Sequence, residues 1–172
     1  LKDLGFLSFN EPFTKLIHQG TITKDGAKMS KSKGNTVSPD KFIEKYGSDT
    51  FRIYLMFMGP YEDGGDWNDK GITGISRFLT RIIKIVKNLD IKYEPNDSTI
   101  RMIHKTIKYV GNDLSQFKFN TAISKLMELS NLLIKDDKAD EFTVKNLILM
   151  LAPFAPHLSE ELWSNLKTNN LC

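Results

Sequence analysis

The apolar residues of this chain follow a helical pattern over its second half. From Ile72 onward they recur mostly at intervals of three or four positions, which places them on one face of an α-helix. The first such stripe extends over about five turns and consists of Ile72, Ile75, Phe78, Leu79, Ile82, Ile83, Val86 and Leu89. A stripe of this length predicts an amphipathic helix whose apolar face packs against other helices.

Further stripes with the same spacing predict further helices. One covers residues 100–117, and the next covers residues 123–133, with Asn120 as its N-cap. A fourth helix is predicted from about residue 140 to residue 151, and Pro156 begins a last one. Because the connections between these helices are short and polar, the pattern predicts an antiparallel α-helical bundle.

Before residue 70 the predicted elements are shorter, since Gly, Pro and aromatic residues interrupt the pattern. Residues 16–29 predict a β-hairpin, with strand-like residues 16–17 and 21–23 and a turn at Asp25-Gly26, a pair that tolerates positive φ. Residues 61–69 are acidic and rich in glycine, and they predict an irregular segment.

Two short helices are predicted between the hairpin and this irregular segment. Ser38 is a predicted N-cap with Pro39 at the first helical position, and Gly47 ends the helix. Ser48 is predicted to cap the next helix, which extends to about Met58. The first part of the chain is therefore mixed α/β, whereas the rest is helical.

The composition is that of an ordinary soluble domain. The chain has 172 residues, of which 40% are hydrophobic and 26% charged, and its net charge is +3. No apolar run approaches the roughly 20 residues that a membrane-spanning helix needs, and no signal peptide is visible. The only cysteine, Cys172, excludes an internal disulfide and a cysteine-based zinc site, and we expect a cytoplasmic protein.

The segment KMSKSKGN, residues 28–35, is the strongest candidate for chemistry. It contains three lysines, two serines and a glycine but no acidic residue. Because ammonium groups without a carboxylate are costly to bury, we expect an exposed loop at the end of the hairpin. Lysine ammonium groups, Ser hydroxyls and backbone N–H groups together suit a polyanion such as a triphosphate. The alternative is a solvated surface turn.

No other constellation in the sequence forms a self-contained active site. His18, His104 and His157 lie far apart, and none belongs to a pair with metal-ligand spacing. A structural or surface role is expected for His104, and a packing or capping role for His157. The sequence also contains no glycine-rich phosphate-loop consensus and no nucleophile elbow.

The order of residues in the lysine-rich segment resembles a family signature. KMSKS, residues 28–32, is the second signature of the class I aminoacyl-tRNA synthetases, and its surroundings resemble the leucyl enzymes. Met58-Gly59-Pro60 and Asp66-Trp67 favour the leucyl branch over the valyl, isoleucyl and methionyl branches, which stay as alternatives. The resemblance covers nearly the whole chain, through residues 36–39, 45–52, 57–60, 66–67, 71–79 and 151–163.

The resemblance implies a role for each residue of the signature. In the family the second lysine of KMSKS contacts the phosphates of ATP and stabilises the transition state of adenylation. Lys31 is therefore the expected catalytic residue, and Lys28 a supporting cation. Met29 is expected to anchor the loop by packing, while Ser30 and Ser32 shape the loop and contact phosphate. ATP with Mg²⁺, leucine and tRNA(Leu) are the implied ligands of the full enzyme, and this segment is expected to hold no metal site of its own.

The resemblance also implies a mainly α fold in two parts. Residues 1–69 are expected to be the end of a Rossmann-type catalytic core, and residues 70–172 an antiparallel helical domain of the anticodon-binding type. The class signature HIGH, the amino-acid pocket and an initiator Met are absent from the sequence. We therefore expect a piece of a longer, monomeric ligase, and we expect this piece to be inactive alone. A stand-alone tRNA-binding helical module is the alternative.

The first long helix carries a row of basic residues beside its apolar stripe. These residues are spaced by four, three and three positions: Arg77, Arg81, Lys84 and Lys87. A ridge of this kind is sufficient for contact with RNA phosphates. The alternative is a solvated helix face.

Overall fold

The structure, a computed structural model, describes residues 1–10, 13 and 15–168. Cys172 lies outside the described residues. The elements in chain order are β1 (Thr21–Lys24), β2 (Ala27–Lys28), α1 (Pro39–Tyr46), α2 (Ser48–Phe57), β3 (Gly64–Trp67), α3 (Ile72–Lys87), α4 (Asp97–Ser115), α5 (Phe119–Leu133), α6 (Glu141–Leu151) and α7 (Pro156–Thr168). This mainly helical fold with one small sheet confirms the predicted fold class.

The predicted long helices are all present, because each apolar stripe has partners on neighbouring helices. Helix α4 packs along α5, and α3 also packs against α5. Large, fully buried side chains of the bundle include Ile72, Ile75, Phe78, Ile82, Ile103, Ile123, Leu126, Leu129, Leu147 and Ile148. Full burial of one such side chain stabilises the fold by about 1.5–3 kcal/mol, so packing between stripes holds the bundle together.

Helix α2 is part of the same core, although it precedes the change in composition. It packs against α3, α5 and α7, and its Ile53 and Tyr54 are buried. Side chains from both sides of residue 70 therefore share one core. The division into residues 1–69 and 70–172 stays a prediction about domain architecture.

The small sheet differs from the prediction in two respects. The predicted strand at residues 16–17 is wrong, since the hairpin consists only of β1 and β2 around Asp25 and Gly26, whose φ angles are 54° and 72°. The prediction of an irregular segment over residues 61–69 is also wrong, because β3 lies within it. Strand β3 pairs in parallel with β1, giving the order β2-β1-β3.

Some helix caps also differ from the prediction by one or two residues. Gly47, with φ 85°, precedes α2, so Ser48 is the first helical residue and not the N-cap. Asn120 lies inside α5 and is not its N-cap. Ser38 stands at the predicted N-cap of α1, but its hydroxyl bonds the Asp40 carboxylate at 3.0 Å. Ser and Asn side chains have several local partners, and packing decides which one they take.

Close backbone approach holds β3 against β1 and against the end of α2. Gly64 has φ +82°, and a Cβ on it would lie 2.3 Å from the carbonyl oxygen of Thr21. A Cβ on Gly20 or on Gly59 would lie 2.0 or 2.1 Å from the backbone of Gly64. These positions require glycine because there is no space for a side chain.

Gly64→Ala is expected to lower the free energy of unfolding by about 2–5 kcal/mol. A left-handed φ costs about 1–2 kcal/mol for a residue with a Cβ, and overpacking adds about 1–3 kcal/mol. Gly74→Ala in α3 is the matched control, since its Cβ would meet nothing within 4 Å and Ala stabilises a helix by about 0.5–1 kcal/mol. Urea denaturation measures both variants, and equal stabilities would contradict the tight packing of β3 on β1.

Candidate functional site

The lysine-rich segment forms an ordered loop directly after β2. Lys31–Lys33 make a single 3₁₀ turn, which ends at Gly34 with φ 65°. The turn is capped by Ser30, whose Oγ accepts a hydrogen bond from the Lys33 backbone N–H at 3.3 Å. A second hydroxyl joins this cap, since Ser32 Oγ lies 3.0 Å from Ser30 Oγ. The two serines of the signature thus shape the loop through their hydrogen bonds.

Asn35 closes the loop at its other end. Its side-chain Oδ1 accepts a hydrogen bond from the Ser30 N–H at 2.8 Å, and its Nδ2 donates to the carbonyl oxygen of Lys28 at 3.3 Å. One side chain therefore holds both ends of the lysine-rich segment together. Sequence reasoning did not select Asn35, although an Asn after Gly34 at a turn was a signal for such local hydrogen bonds.

The loop presents its cations to solvent. Lys28, Lys31 and Lys33 are all exposed, and within the described residues none of the three forms an ion pair with a carboxylate. Met29 differs, because it is half-buried and packs against the hydrophobic core. The loop is thus anchored through Met29 while its ammonium groups stay available to an anionic ligand.

The far end of the hairpin is held by Asp66 of β3. Its Oδ1 accepts hydrogen bonds from Thr23 Oγ1 at 2.5 Å and from the Gly26 N–H at 3.0 Å. These bonds, that from Thr23 first, hold the pKa of the Asp66 carboxyl below its usual value. Asp66 is therefore ionised at neutral pH and fixed to the turn of the hairpin that carries the loop.

Trp67, the next residue, fixes β3 to the helices. Its buried ring contacts Phe42, Phe51 and Tyr54, with ring centroids 4.8, 5.9 and 5.1 Å away. Its indole Nε1 donates to Asp69 Oδ1 at 2.5 Å. Aromatic pairs in such tilted and edge-on arrangements add about 0.5–1.5 kcal/mol each beyond area burial. The sheet and α1–α2 are thus connected through one side chain.

The basic residues of α3 do not all face solvent. Arg77, Lys84 and Lys87 are exposed, but Arg81 is half-buried and its Nη1 donates to Ser130 Oγ at 3.2 Å. Lys84 Nζ lies 3.8 Å from the Asp137 carboxylate. The structure therefore brings three of the four predicted residues to one surface and gives Arg81 a partner on α5.

A second basic stripe lies on the exposed face of α4, and sequence reasoning missed it. Arg101, Lys105 and Lys108 are spaced by four and three positions and are all exposed. Lys105 Nζ lies 5.9 Å from the centroid of the Tyr109 ring on the same helix. The spacing of these residues by four and three positions was the available signal in the sequence.

His157 and His104 both make local contacts with side chains of other helices. His157 Nδ1 lies 2.8 Å from Asp49 Oδ1, and the other oxygen of this buried carboxylate accepts from the Leu158 N–H at 2.7 Å. Asp49 thus caps α7 from the first turn of α2. Ser48 Oγ lies 3.5 Å from the same Nδ1. In a nucleophile–base–acid triad the hydroxyl and the carboxylate contact different nitrogens of the imidazole ring, so these three residues do not form one. His104 lies beside the Phe142 ring at 5.4 Å.

Comparison with family models accounts for both halves of the chain. Residues 6–68 match the model described as tRNA synthetases class I (I, L, M and V). Residues 98–172 match the model described as the anticodon-binding domain of tRNA ligase. The first match contains the lysine-rich loop and its supports, and the second contains α4 to α7.

Individual relatives match over nearly the whole chain. Leucine–tRNA ligase of Caldanaerobacter subterraneus is 45% identical over 96% of this chain and 23% of its own length. Leucine–tRNA ligase of Thermotoga maritima is 47% identical over 99% of this chain and 24% of its own length. In structure, the chain resembles an Agrobacterium radiobacter K84 LeuRS crystallised in a ternary complex with tRNA and LeuAMS. That match has a TM-score of 0.81 and 32% identity, and it covers 94% of this chain and 24% of the other.

The chain therefore belongs to the class I tRNA synthetases, an enzyme family of tRNA ligases. Within that class it corresponds to a segment of the leucine–tRNA ligases, which confirms the resemblance seen in the sequence. The chain spans about a quarter of the length of the curated relatives that it matches.

Proposed function

We propose that this chain supplies the ATP-phosphate loop and the RNA-binding helices of a leucine–tRNA ligase. The complete reaction joins leucine to ATP, releases pyrophosphate and transfers leucine to the terminal ribose of tRNA(Leu). The observation that carries the proposal is the lysine loop, whose exposed ammonium groups have no carboxylate partner among the described residues. Family membership supplies the substrates that this loop would serve.

Each residue of the loop has a role in this proposal. Lys31 contacts the phosphates of ATP and stabilises the negative charge that develops on the departing pyrophosphate, and Lys28 adds a second cation. Preorganised charge of this kind is usually a large part of the rate enhancement. Ser30 and Ser32 hold the turn and offer hydroxyl donors to phosphate, while Met29 anchors the loop in the core.

Mg²⁺ enters this scheme with ATP, as part of the bound nucleotide. Within the described ranges no group of three or more His, Cys, Asp or Glu side chains could hold a metal ion. The lysine loop is made of donors and cations, which suit phosphate oxygens rather than a metal. The chain's own contribution is therefore contact with the phosphates.

The remaining parts of the active site are proposed to lie elsewhere in a longer protein. Several apolar side chains near the start of the described chain are exposed, with Leu4, Phe13 and Leu16 at 73%, 80% and 79%. Contiguous exposed apolar surface usually marks a contact with another surface. We assign this contact to the rest of the catalytic core, and we propose that residues 1–69 belong to that core and residues 70–172 to the helical domain.

ATP–pyrophosphate exchange by the full-length protein tests the proposed function. Exchange that depends on leucine is expected, and the isolated chain should show none. ATP should also protect Lys31 from amine-labelling reagents in the full-length protein. Exchange that depends on valine, isoleucine or methionine would assign the chain to one of those ligases instead. Protection of Lys31 by tRNA alone would favour a stand-alone tRNA-binding module.

The tRNA surface is proposed to include the exposed basic residues of α3. Arg77, Lys84 and Lys87 project from one helix face, and Arg81 supports that helix through its bond to Ser130. Contact with phosphates needs only positioned cations, since it reads no base sequence.

In the part of the chain that the structure describes, no helix is long and apolar enough to cross a membrane. We propose a cytoplasmic, monomeric enzyme.

Replacing Arg77 and Lys87 together with Glu is expected to weaken tRNA binding in the full-length protein. The negative slope of log K against log salt should become shallower by about two, since each phosphate contact contributes roughly −0.9 to it. Replacing Arg101 and Lys108 on α4 with Glu is the matched control, because it changes the net charge equally on another helix. Filter binding over a range of salt concentrations measures both. A larger effect of the α4 variant would move the RNA surface to α4.

A further inference from the structure

One row of residues crosses the small sheet from the lysine loop to β3. On β1, Thr23 is the partner of Lys28 on β2 and of Asp66 on β3. Partners in such a row carry their side chains on the same face of the sheet. Lys28, the first lysine of the loop, and Asp66 therefore lie on the two strands that flank β1, with Thr23 between them.

The Asp66 carboxylate joins the end of β1 to the hairpin turn that follows it. Thr23, which donates to it from its hydroxyl, lies before the turn, and Gly26, which donates from its backbone N–H, lies within it. Asp25 in this turn has φ 54°, which an Asp-Gly pair adopts readily, and the two bonds to Asp66 fix the turn against β3. Strand β2 has only two residues, so the turn determines where the loop begins.

The carboxylate itself is rigidly mounted. Trp67 directly follows it and is buried among the rings of α1 and α2, while Gly64 at the start of β3 lies against the backbone of Thr21. The hydrogen bonds of Asp66 thus connect the hairpin to the packed core. At the opposite end of the loop, Asn35 makes the comparable closure.

We propose that Asp66 is a positioning residue for the lysine loop. It fixes the turn from which β2 delivers Lys28 and Lys31 towards the phosphates of ATP, and it does not itself touch the nucleotide. The inference rests on the proposed function, since a positioned loop matters only if the loop serves catalysis. A displacement of a catalytic group by about 1 Å can lower the rate 100-fold, even when the mutation lies far from the reacting atoms. Loss of a residue that only supports the loop should therefore have a measurable effect.

Amide hydrogen exchange in the full-length protein tests the structural half of the inference. Asp66→Ala removes the oxygen that accepts both bonds, whereas Asp66→Asn keeps an Oδ1 that can accept them. Exchange at residues 26–34 should become at least about 10-fold faster in Asp66→Ala and stay near the parent rate in Asp66→Asn. Exchange in α3 to α7 should not change. Asp63→Ala is the control, since it removes an exposed carboxylate one residue before β3.

The steady-state kinetics of ATP–pyrophosphate exchange test the functional half of the inference. Asp66→Ala is expected to lower kcat or raise the KM for ATP by a total of about 10-fold or more, with the KM for leucine unchanged. Asp66→Asn should restore most of this loss, and Thr23→Val should reproduce part of it without adding to Asp66→Ala. Normal kinetics in Asp66→Ala would overturn the inference. A change in the KM for leucine as large as that for ATP would also overturn it in favour of a general structural role. Faster amide hydrogen exchange throughout the helices would do the same.

Lys31→Ala separates failure of this inference from failure of the proposed function. If Lys31→Ala is inactive while Asp66→Ala is fully active, only the positioning role of Asp66 is wrong. If Lys31→Ala is fully active, the proposed function of the loop is wrong and the role of Asp66 falls with it.

Discussion

Lys31→Ala is expected to lower leucine-dependent ATP–pyrophosphate exchange about 100- to 1,000-fold in the full-length protein, a loss of about 2.7–4 kcal/mol in transition-state stabilisation. The reason is electrostatic, because negative charge accumulates on the pyrophosphate as it departs. A cation already held in place stabilises that charge without reorganisation of solvent. The KM for leucine should change little, since this role is specific to the phosphates.

The structure predicts that folding is unaffected by this substitution. Lys31 is exposed, and the bond from the Gly34 N–H to Lys31 uses the backbone carbonyl, which Ala retains. Lys33→Ala is the matched control, because it removes one charge from the same turn. The hydrogen bond from the backbone N–H of residue 33 to Ser30 Oγ stays in place. An equal loss of activity in the two variants would show that the loop acts through its total charge and not through Lys31.

Trp67→Ala is expected to lower the free energy of unfolding by about 3–5 kcal/mol, the usual range for removal of a large buried aromatic side chain. Trp67 is 5% exposed and contacts rings on α1 and α2. Its loss leaves a cavity at the point where the sheet joins the helices. Urea denaturation measures the change, and the far-UV circular dichroism of the bundle should persist at low denaturant.

Two further variants keep this prediction testable if Trp67→Ala does not fold. Trp67→Phe retains a ring but loses the bond from Nε1 to Asp69, so a smaller loss is expected. Trp163→Ala in α7 removes the other tryptophan, which is only partly buried, and should cost less than Trp67→Ala. A larger cost at Trp163 would show that the connection through Trp67 is not a main support of the fold.

The helices could be predicted because their evidence is local. An apolar residue every three or four positions determines both the helix and the face that it buries, as in α3 from Ile72 to Lys87. Strand β3 could not be predicted in this way. Its residues Gly-Gly-Asp-Trp have little preference for a strand, and they form one because β1 offers a partner edge.

The sequence predicted the exposure of the cationic loop but not the side chains that hold it. The lysines are recognisable from their order, and their exposure follows from charge without a counter-charge. The side chains that hold the loop, Asn35 and Asp66, bond to backbone and hydroxyl groups that only folding brings near them. Arg81 shows the reverse case, since its spacing predicts a surface position and the fold gives it Ser130 as a partner.

By itself the sequence determined the mainly helical class, the exposed cationic loop and membership of the class I tRNA synthetases. Each of these depends on neighbours in the chain or on an ordered motif. Only the tertiary structure decided that α2 shares the core of the bundle and that β3 completes the sheet. It also decided which acid supports the hairpin. These features depend on pairs such as Thr23 and Asp66, which are distant in the chain and meet only when packing brings their backbones together.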